Sequence, residues 1–428
     1  MTDWPRRTVV TGVGVVAPGG VTRKAFWSCL TAGRTATRRA TLYDPTPFRS
    51  QVAGECDFDP AEAGLSLRDQ RRSDRYIQFG LAAAAEALVD SGIELDDRLR
   101  ERTGVVMGSA VGGTTALEQE YVVASSSGRD WLVDPDCTSP FLYQALVPSS
   151  LSADIAHRHG VHGPVQVIST GCTSGIDAIG YAHQLIQDGE ADVIIAGAAD
   201  SPLSPVTAAS FDAIKATTPD NSDPEHASRP FDRDRSGFVL AEGAAVLILE
   251  ELESARRRGA PIYCEVSGYA ARGNAYHMTG LRPDGVEMSV AIADAMKQGR
   301  LNAEDISYIC AHGSGTRQND RHETAAFKRA LGQAAYQVPI SSIKSMVGHS
   351  LGAIGSIEMA ACALAIESGT VPPTANWANR DPECDLDYTP NIARELPVNV
   401  ALSVGSGFGG FQSAMIFAKL DGVRNGRM

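Results

Sequence analysis

One short pattern occurs twice in this chain, each time between a strand and an apolar helix. Residues 171–175 (Gly-Cys-Thr-Ser-Gly) match residues 348–352 (Gly-His-Ser-Leu-Gly), with the same offset between both glycine pairs. Strands and helices alternate along the chain with Gly and Pro at the turns, which is typical of α/β folds with mostly parallel sheets. The repeat therefore predicts two similar halves, each presenting a strand-to-helix corner to a shared centre.

A charged turn at residues 256–261 (Arg-Arg-Arg-Gly-Ala-Pro) separates the two copies of the pattern. We therefore predict two units that pack as one body. Residues 1–258 form the N-terminal half with the cysteine corner, and residues 259–428 form the C-terminal half with the histidine corner.

Composition narrows the class of protein. A chain of 428 residues with 43% hydrophobic residues can bury a large core. We find no apolar run near the roughly 20 residues that span a bilayer and no signal-peptide core at the start, so we expect a cytoplasmic protein without a membrane segment. Eight scattered cysteines fit reduced thiols rather than disulfides or a metal site. A net charge of −13 argues against nucleic acid as a partner.

Cys172 is the strongest candidate nucleophile. It follows the apolar residues 165–168 and precedes a helical pattern, which places it near a helix N-terminus. Backbone N–H groups and the helix dipole favour a thiolate there, and a thiolate attacks thioesters. The local pattern fits equally well a buried cysteine that packs as a small hydrophobic residue.

Two histidines follow the ends of predicted strands and precede small residues. His312 lies in Ala-His-Gly-Ser-Gly-Thr, and His349 lies in the second copy of the repeat. Ligands of α/β sheets usually bind at such strand ends, where the imidazoles can donate hydrogen bonds to an oxyanion or exchange protons. A single histidine at such a position is more often structural. Lys344 lies five residues before His349, and a lysine there is ordinarily interpreted as solvent-exposed.

The glycine-rich residues 405–410 (Gly-Ser-Gly-Phe-Gly-Gly) suit a tight turn with accessible backbone N–H groups. An oxyanion hole needs such donors, although a plain β-turn has the same composition. Gly12-x-Gly14 is too short for a dinucleotide fingerprint, so we interpret it as structural.

Together these motifs resemble the β-ketoacyl-acyl-carrier-protein synthases of the thiolase superfamily, over residues 8–417. The resemblance implies an α/β fold: a thiolase-like duplicated five-layer αβαβα sandwich with two mixed sheets. It also implies a role for each matched residue. These are the acylated nucleophile Cys172, the catalytic histidines His312 and His349, the catalytic Lys344, the supporting Glu358, and the gate Phe408, whose N–H joins that of Cys172 in the oxyanion hole.

Within the family, the sequences of these motifs are most similar to those of the alpha ketosynthase subunits of bacterial type II (aromatic) polyketide synthases. Fatty-acid enzymes usually carry Thr at the position of Ser314 and Phe at the position of Ser406. Such a subunit pairs with a homologous chain-length factor that lacks the cysteine, so the presence of Cys172 implies the catalytic member. A heterodimer with that factor is expected, and a homodimer is the alternative.

The resemblance implies decarboxylative Claisen condensation without a bound cofactor or metal. Substrates arrive on the phosphopantetheine of acyl carrier protein, and Ser314 and Thr316 match residues that bind this arm. Arg68, Arg71 and Arg72 match a docking patch for the acidic carrier protein, although a solvated charge run has the same appearance. The turn at residues 218–221 lacks an arginine that relatives often have there.

Val111, in Gly-Ser-Ala-Val-Gly-Gly, matches a position of the acyl pocket in the related enzymes.

Three alternative functions remain open from the sequence. They are a fatty-acid β-ketoacyl-acyl-carrier-protein synthase of the type II elongating kind, a CoA-dependent thiolase, and a non-catalytic subunit. A thiolase would need a second catalytic cysteine near residues 406–407, where this chain has Ser and Gly.

Overall fold

The computed structural model describes residues 6–129 and 134–420. Its β-strands, in chain order, are β1 (Thr8–Val16), β2 (Thr37–Arg39), β3 (Val52–Gly54), β4 (Thr103–Gly108), β5 (Val165–Ile168), β6 (Val193–Asp200), β7 (Leu240–Ala241), β8 (Gly243–Glu251), β9 (Cys264–Gly273), β10 (Tyr308–Cys310), β11 (Ile340–Ser341), β12 (Thr370–Val371), β13 (Arg394–Glu395), β14 (Val400–Gly407) and β15 (Phe411–Ala418).

The α-helices lie between these strands. They are α1 (Arg23–Thr31), α2 (Leu67–Arg72), α3 (Arg75–Ser91), α4 (Asp97–Glu101), α5 (Thr114–Ala124), α6 (Leu142–Leu146), α7 (Ser150–His159), α8 (Ser174–Gln187), α9 (Pro205–Ala213), α10 (Leu252–Arg257), α11 (Val286–Gly299), α12 (Arg317–Leu331), α13 (Lys344–Val347) and α14 (Ile354–Ser368).

The main sheet repeats one strand order in its two halves. In the N-terminal half the order is β1-β8-β6-β4-β5, and in the C-terminal half it is β9-β15-β14-β10-β11. The halves are joined where β1 pairs with β9 through Thr8, Val9 and Val10. The predicted duplication is therefore present in the strand order, while the boundary at residues 258 and 259 stays a prediction.

The prediction of mostly parallel sheets from strand and helix alternation is wrong. In each half the strands nearest the junction pair antiparallel, for example β1 with β8 and β14 with β15. Only the outer strands pair in parallel, as β4 does with β5 and β10 with β11. A tight hairpin turn joins β14 to β15, and an antiparallel pair needs no crossover helix. The sheets are mixed, as the family resemblance implies.

Helices cover both faces of each half-sheet and complete a five-layer arrangement. A central cluster packs α8 and α14 between the two halves. On the outer faces, α3 covers the N-terminal half and α11 and α12 cover the C-terminal half. A Cβ atom at Gly175 would lie 2.4 Å from the backbone nitrogen of Ser356, so glycine permits the close crossing of α8 and α14.

The segment Leu351–Ser368, which contains α14, is long and apolar enough to cross a membrane, and 89% of it is buried inside the protein. It is therefore a core helix by its surroundings. No other helix within residues 6–129 and 134–420 meets the same criterion of length and hydropathy.

Candidate active site

Cys172 occupies a short 3₁₀ turn, Gly171–Thr173, between β5 and α8. Gly171 has a φ of +61°, a backbone conformation that glycine adopts without steric cost. The hydroxyl of Ser174 donates to the carbonyl oxygen of Gly171 (2.6 Å) and accepts from the N–H of Thr170 (3.0 Å). These contacts hold the turn so that the partly exposed Cys172 side chain faces a cavity.

Phe408 lies beside this thiol on the hairpin between β14 and β15. Its backbone N–H donates towards the sulfur of Cys172. A Cβ atom at the preceding Gly407 would lie 3.3 Å from the backbone nitrogen of Cys172, so glycine lets the hairpin approach the turn. The backbone N–H groups of Phe408 and Cys172 both donate towards this sulfur, and they are the pair of donors that an oxyanion hole needs.

Burial raises the pKa of the Cys172 thiol to about 11, and the Lys344 ammonium and the two N–H groups only partly oppose this effect. The raised pKa argues against the preformed thiolate that the helix N-terminus led us to expect. The physical reason is desolvation, which disfavours the charged form more than the helix N-terminus stabilises it.

The thiol pKa leads to a testable pH dependence. Only the thiolate reacts with iodoacetamide, so we expect alkylation of Cys172 to accelerate about tenfold per pH unit from pH 7 to pH 10. Mass spectrometry of the Cys172 peptide at several reaction times measures this rate, with the exposed Cys137 as an internal reference. A plateau below pH 8 would contradict the raised pKa.

The two histidines lie in the same cavity, although 37 residues and two helices separate them in the chain. His312 follows β10, as predicted. The prediction that His349 follows a strand directly is wrong, because the short helix α13 lies between β11 and His349, which then precedes α14. Their ring centroids are 5.2 Å apart and the rings are nearly perpendicular, at 81°. Burial and the Lys344 charge hold the pKa of each imidazole well below its usual range, so both rings are neutral at pH 7.

The proton positions on these rings follow from their hydrogen bonds. The N–H of Leu351 donates to Nδ1 of His349 (3.1 Å), and Nζ of Lys344 lies 3.4 Å from Nδ1 of His312. In a neutral imidazole whose Nδ1 accepts, the proton is on Nε2. Each ring can therefore offer an Nε2–H donor to a ligand.

Lys344 is buried, with 1% of its surface exposed, so its ordinary interpretation as a solvent-exposed lysine is wrong. Its ammonium bonds the carbonyl oxygen of His312 and forms an ion pair with Glu358 on α14. Burial raises the pKa of Glu358 to about 7 in spite of this pair, and its Oε2 has no hydrogen-bond partner among the described residues. Lys344 thus orients His312 from behind the cavity.

The cavity has a volume of about 220 Å³. Several sequence-predicted residues share its wall: Cys172, His312, His349, Ser314, Thr316, Ser406 and Phe408. Ser314 and Thr316 are joined by a hydrogen bond between their hydroxyl oxygens (3.0 Å).

Other predicted residues lie elsewhere. Val111 is 37% exposed on the loop after β4 and is not part of the wall of this cavity. Arg68 and Arg71 are exposed on α2, whereas Arg72 forms an ion pair with Asp154 at 3.6 Å. Their assignments to an acyl pocket and a docking patch stay predictions.

Two aromatic residues of the cavity wall were not predicted. Phe211 on α9 lies between Phe408 (6.4 Å between ring centroids) and Phe238 (5.5 Å), and Phe238 contacts the His349 ring (5.2 Å). This aromatic row connects the Phe408 hairpin with His349. Neither residue lies in a motif, so nothing local in the sequence marks it.

Two buried acids on α12 hold the loop that follows His312. Glu323 accepts the N–H groups of His312 (2.5 Å) and Gly313 (2.7 Å), and Asp320 accepts that of Gly315 (3.2 Å). Burial raises the pKa of Glu323 to about 8. A signal was present in the sequence, since acids three residues apart lie on one helix face directly after the His312 motif.

Comparison with known proteins decides the family. The beta-ketoacyl synthase N-terminal domain matches residues 6–255, and the beta-ketoacyl synthase C-terminal domain matches residues 263–378. The chain belongs to the β-ketoacyl synthase family. It is therefore an acyltransferase that forms carbon–carbon bonds.

Individual relatives refine the position of the chain within the family. The tetracenomycin polyketide synthase ketoacyl synthase alpha subunit of Streptomyces glaucescens is 60% identical over 414 residues, which cover 97% of each chain.

Two solved structures share the fold. One is a type II polyketide synthase acyl-carrier protein in complex with its ketosynthase bound to the hexaketide (TM-score 0.91, 38% identity, 98% of this chain and 100% of the other). The other is the ishigamide ketosynthase/chain length factor (TM-score 0.89, 34% identity, 97% and 100%).

Proposed function

We propose that this protein extends a poly-β-ketone by decarboxylative Claisen condensation of malonyl-acyl carrier protein with an acyl chain on Cys172. One observation carries the proposal: a single cavity contains one thiol, an N–H donor at its sulfur, and two neutral imidazoles. The 60% identity to a polyketide synthase alpha subunit supports the polyketide substrate class.

The first stage acylates Cys172. The thiol loses its proton, its sulfur forms a bond to the thioester carbon of an acyl-pantetheine, and the pantetheine sulfur leaves as a thiol. Negative charge develops on the carbonyl oxygen, which accepts hydrogen bonds from the N–H groups of Cys172 and Phe408. Ser314 and Thr316 offer hydroxyl groups to the pantetheine arm.

The second stage releases CO₂ from malonyl-acyl carrier protein. The bond to the carboxylate breaks and its electron pair forms an enolate, whose oxygen accepts Nε2–H bonds from His312 and His349. The enolate carbon then attacks the acyl thioester, a carbon–carbon bond forms, and the Cys172 sulfur leaves and regains a proton. Lys344 and Glu358 hold His312 in place without contacting the substrate.

Acyl carrier protein and a homologous chain-length factor are the proposed partners. Arg68 and Arg71 are exposed on α2 and offer positive charge to an acidic carrier protein. The ketosynthase structures with similar folds include a carrier-protein complex and a chain-length-factor pair. The free cysteines of the described chain suit a reducing compartment, so we place the protein in the cytoplasm.

An apolar surface patch suits the chain-length factor. Helices α5 and α6 lie against each other and expose large apolar side chains. These are Leu117, Tyr121, Val122, Val123, Tyr143 and Leu146, each between 38% and 70% exposed. Exposed apolar patches of this kind mark protein interfaces.

We expect Val123→Glu to weaken binding of the chain-length factor at least about 30-fold, because an unpaired charge in an apolar interface costs ~2 kcal/mol or more. Analytical ultracentrifugation of the two co-expressed subunits measures the affinity. Val89→Glu is the matched control, since Val89 is 83% exposed on α3, outside the patch. Equal affinity of both variants would exclude this patch from the interface.

A reconstitution with purified carrier proteins and the chain-length factor tests the proposed function. Acetyl-carrier protein should add a mass of one acetyl group to the Cys172 peptide, and malonyl-carrier protein should then yield a poly-β-ketone. A second reaction includes enzymes for ketoreduction, dehydration and enoyl reduction. Saturated products in that reaction, with no unreduced polyketide when these enzymes are left out, would favour the fatty-acid synthase. Absence of any acyl-Cys172 would favour a non-catalytic subunit.

A further inference from the structure

A buried carboxylate lies directly beneath the Cys172 turn. Asp177 is in the first turn of α8 and is 5% exposed. The hydroxyl groups of Thr170 (2.5 Å) and Thr173 (2.8 Å), which flank Cys172 in the chain, donate to its Oδ2.

The other carboxylate oxygen is bound from the C-terminal half. The hydroxyl of Tyr269 on β9 (3.0 Å) and that of Ser413 on β15 (2.5 Å) donate to Oδ1 of Asp177. Within the described residues Asp177 forms no ion pair, and the four hydroxyl groups supply its side-chain hydrogen bonds in the first turn of α8.

These four hydrogen bonds join the two segments that supply the N–H donors of the proposed oxyanion hole. The Cys172 N–H belongs to the turn of the N-terminal half, and the Phe408 N–H belongs to the hairpin of the C-terminal half. Ser413 is the cross-strand partner of Gly405, three residues before Phe408. A Cβ atom at Gly405 would lie 3.0 Å from Cγ2 of Thr173, so the turn and the hairpin are packed tightly here.

We infer that Asp177 is a positioning residue that clamps the Cys172 turn to the β14–β15 hairpin and thereby sets the separation of the Cys172 and Phe408 N–H groups. The inference rests on the proposed function, since the two N–H groups matter only if a thioester oxygen binds between them. Asparagine has one acceptor oxygen in place of two, so it can accept at most two of the four hydroxyl hydrogen bonds.

The test compares two reactions of the same sulfur. Acylation of Cys172 by an acyl-thioester needs the oxyanion hole, whereas alkylation by iodoacetamide needs only the thiolate. In Asp177→Asn we expect the maximal acylation rate to fall on the order of 10- to 100-fold. Displacement of a hydrogen-bond donor from a developing oxyanion lowers a reaction rate by about this factor. Alkylation should change less than about threefold, since the sulfur and its pKa are set mainly by burial.

Further variants make the result decisive. Tyr269→Phe and Ser413→Ala each remove one hydroxyl donor from the C-terminal half and should each slow acylation about three- to tenfold, again with little effect on alkylation. Asp188→Asn, at the exposed C-terminal end of the same helix, is the matched control and should change neither rate.

Unchanged acylation in Asp177→Asn, or a parallel fall of both reactions, would overturn the inference. If that variant does not fold, the ratio of the two rates in Tyr269→Phe and Ser413→Ala decides by the same criterion. A wild-type protein that is alkylated but never acylated would instead refute the proposed function itself.

Discussion

Replacement of Cys172 by alanine is expected to lower condensation by at least about 10⁴-fold, while release of CO₂ from malonyl-acyl carrier protein continues. The sulfur is the atom that holds the acyl chain, so without it no thioester awaits the enolate. His312 and His349 keep their positions because their hydrogen bonds run to Lys344 and to the backbone rather than to Cys172. The enolate then takes up a proton and leaves as acetyl-acyl carrier protein.

Two measurements check this separation of roles. Polyketide product is quantified by liquid chromatography, and the conversion of malonyl- to acetyl-carrier protein is followed by intact-mass spectrometry. Cys137→Ala is the control, because Cys137 is an exposed thiol outside the cavity and should retain both activities. Loss of both activities in a folded Cys172→Ala variant would show that the thiol also takes part in decarboxylation.

Much of the fold was predictable because its strands and helices carry strong local signals. The apolar residues 8–16 predict a strand and the helical spacing of residues 75–91 predicts a helix, and β1 and α3 have these same bounds in the structure. Strand direction was not predictable in the same way. Alternation of strands and helices indicates parallel pairing, yet β8 and β15 pair antiparallel with both of their neighbouring strands. Nothing in the residues of these two strands specifies their direction relative to those neighbours.

In the candidate site, too, local sequence predicts some features, whereas others depend on contacts that form only in the folded protein. Cys172 and His349 lie in the two copies of the duplicated corner, so their convergence was predictable, and His312 was predictable as a histidine at the end of another strand. The burial of Lys344 was not, because its partner Glu358 lies on another element and the pair is recognisable only after folding. The raised pKa of the Cys172 thiol was also missed, because burial raises it while Lys344 and the Phe408 N–H lower it, and all three effects come from residues that are distant in the chain.

Substitution of either cavity histidine by alanine is expected to slow malonyl decarboxylation about 10²- to 10³-fold, the usual effect of losing one donor to a developing oxyanion. Both rings present an Nε2–H group, and the enolate oxygen needs both. Single-turnover CO₂ release measures the effect. His183→Gln is the matched control, because His183 is buried on α8 outside the cavity wall. A His312→Ala or His349→Ala variant with normal CO₂ release would remove that residue from the enolate site.

The surroundings of the two rings make them separable. Lys344 lies 3.4 Å from Nδ1 of His312, whereas the backbone N–H of Leu351 orients His349. Lys344→Ala should therefore slow decarboxylation largely through His312. Combined with His312→Ala it should add little, and combined with His349→Ala its effect should be nearly additive, because residues that act through one contact couple in a double-mutant cycle. Equal coupling to both histidines would mean that Lys344 acts through its charge alone rather than by holding His312.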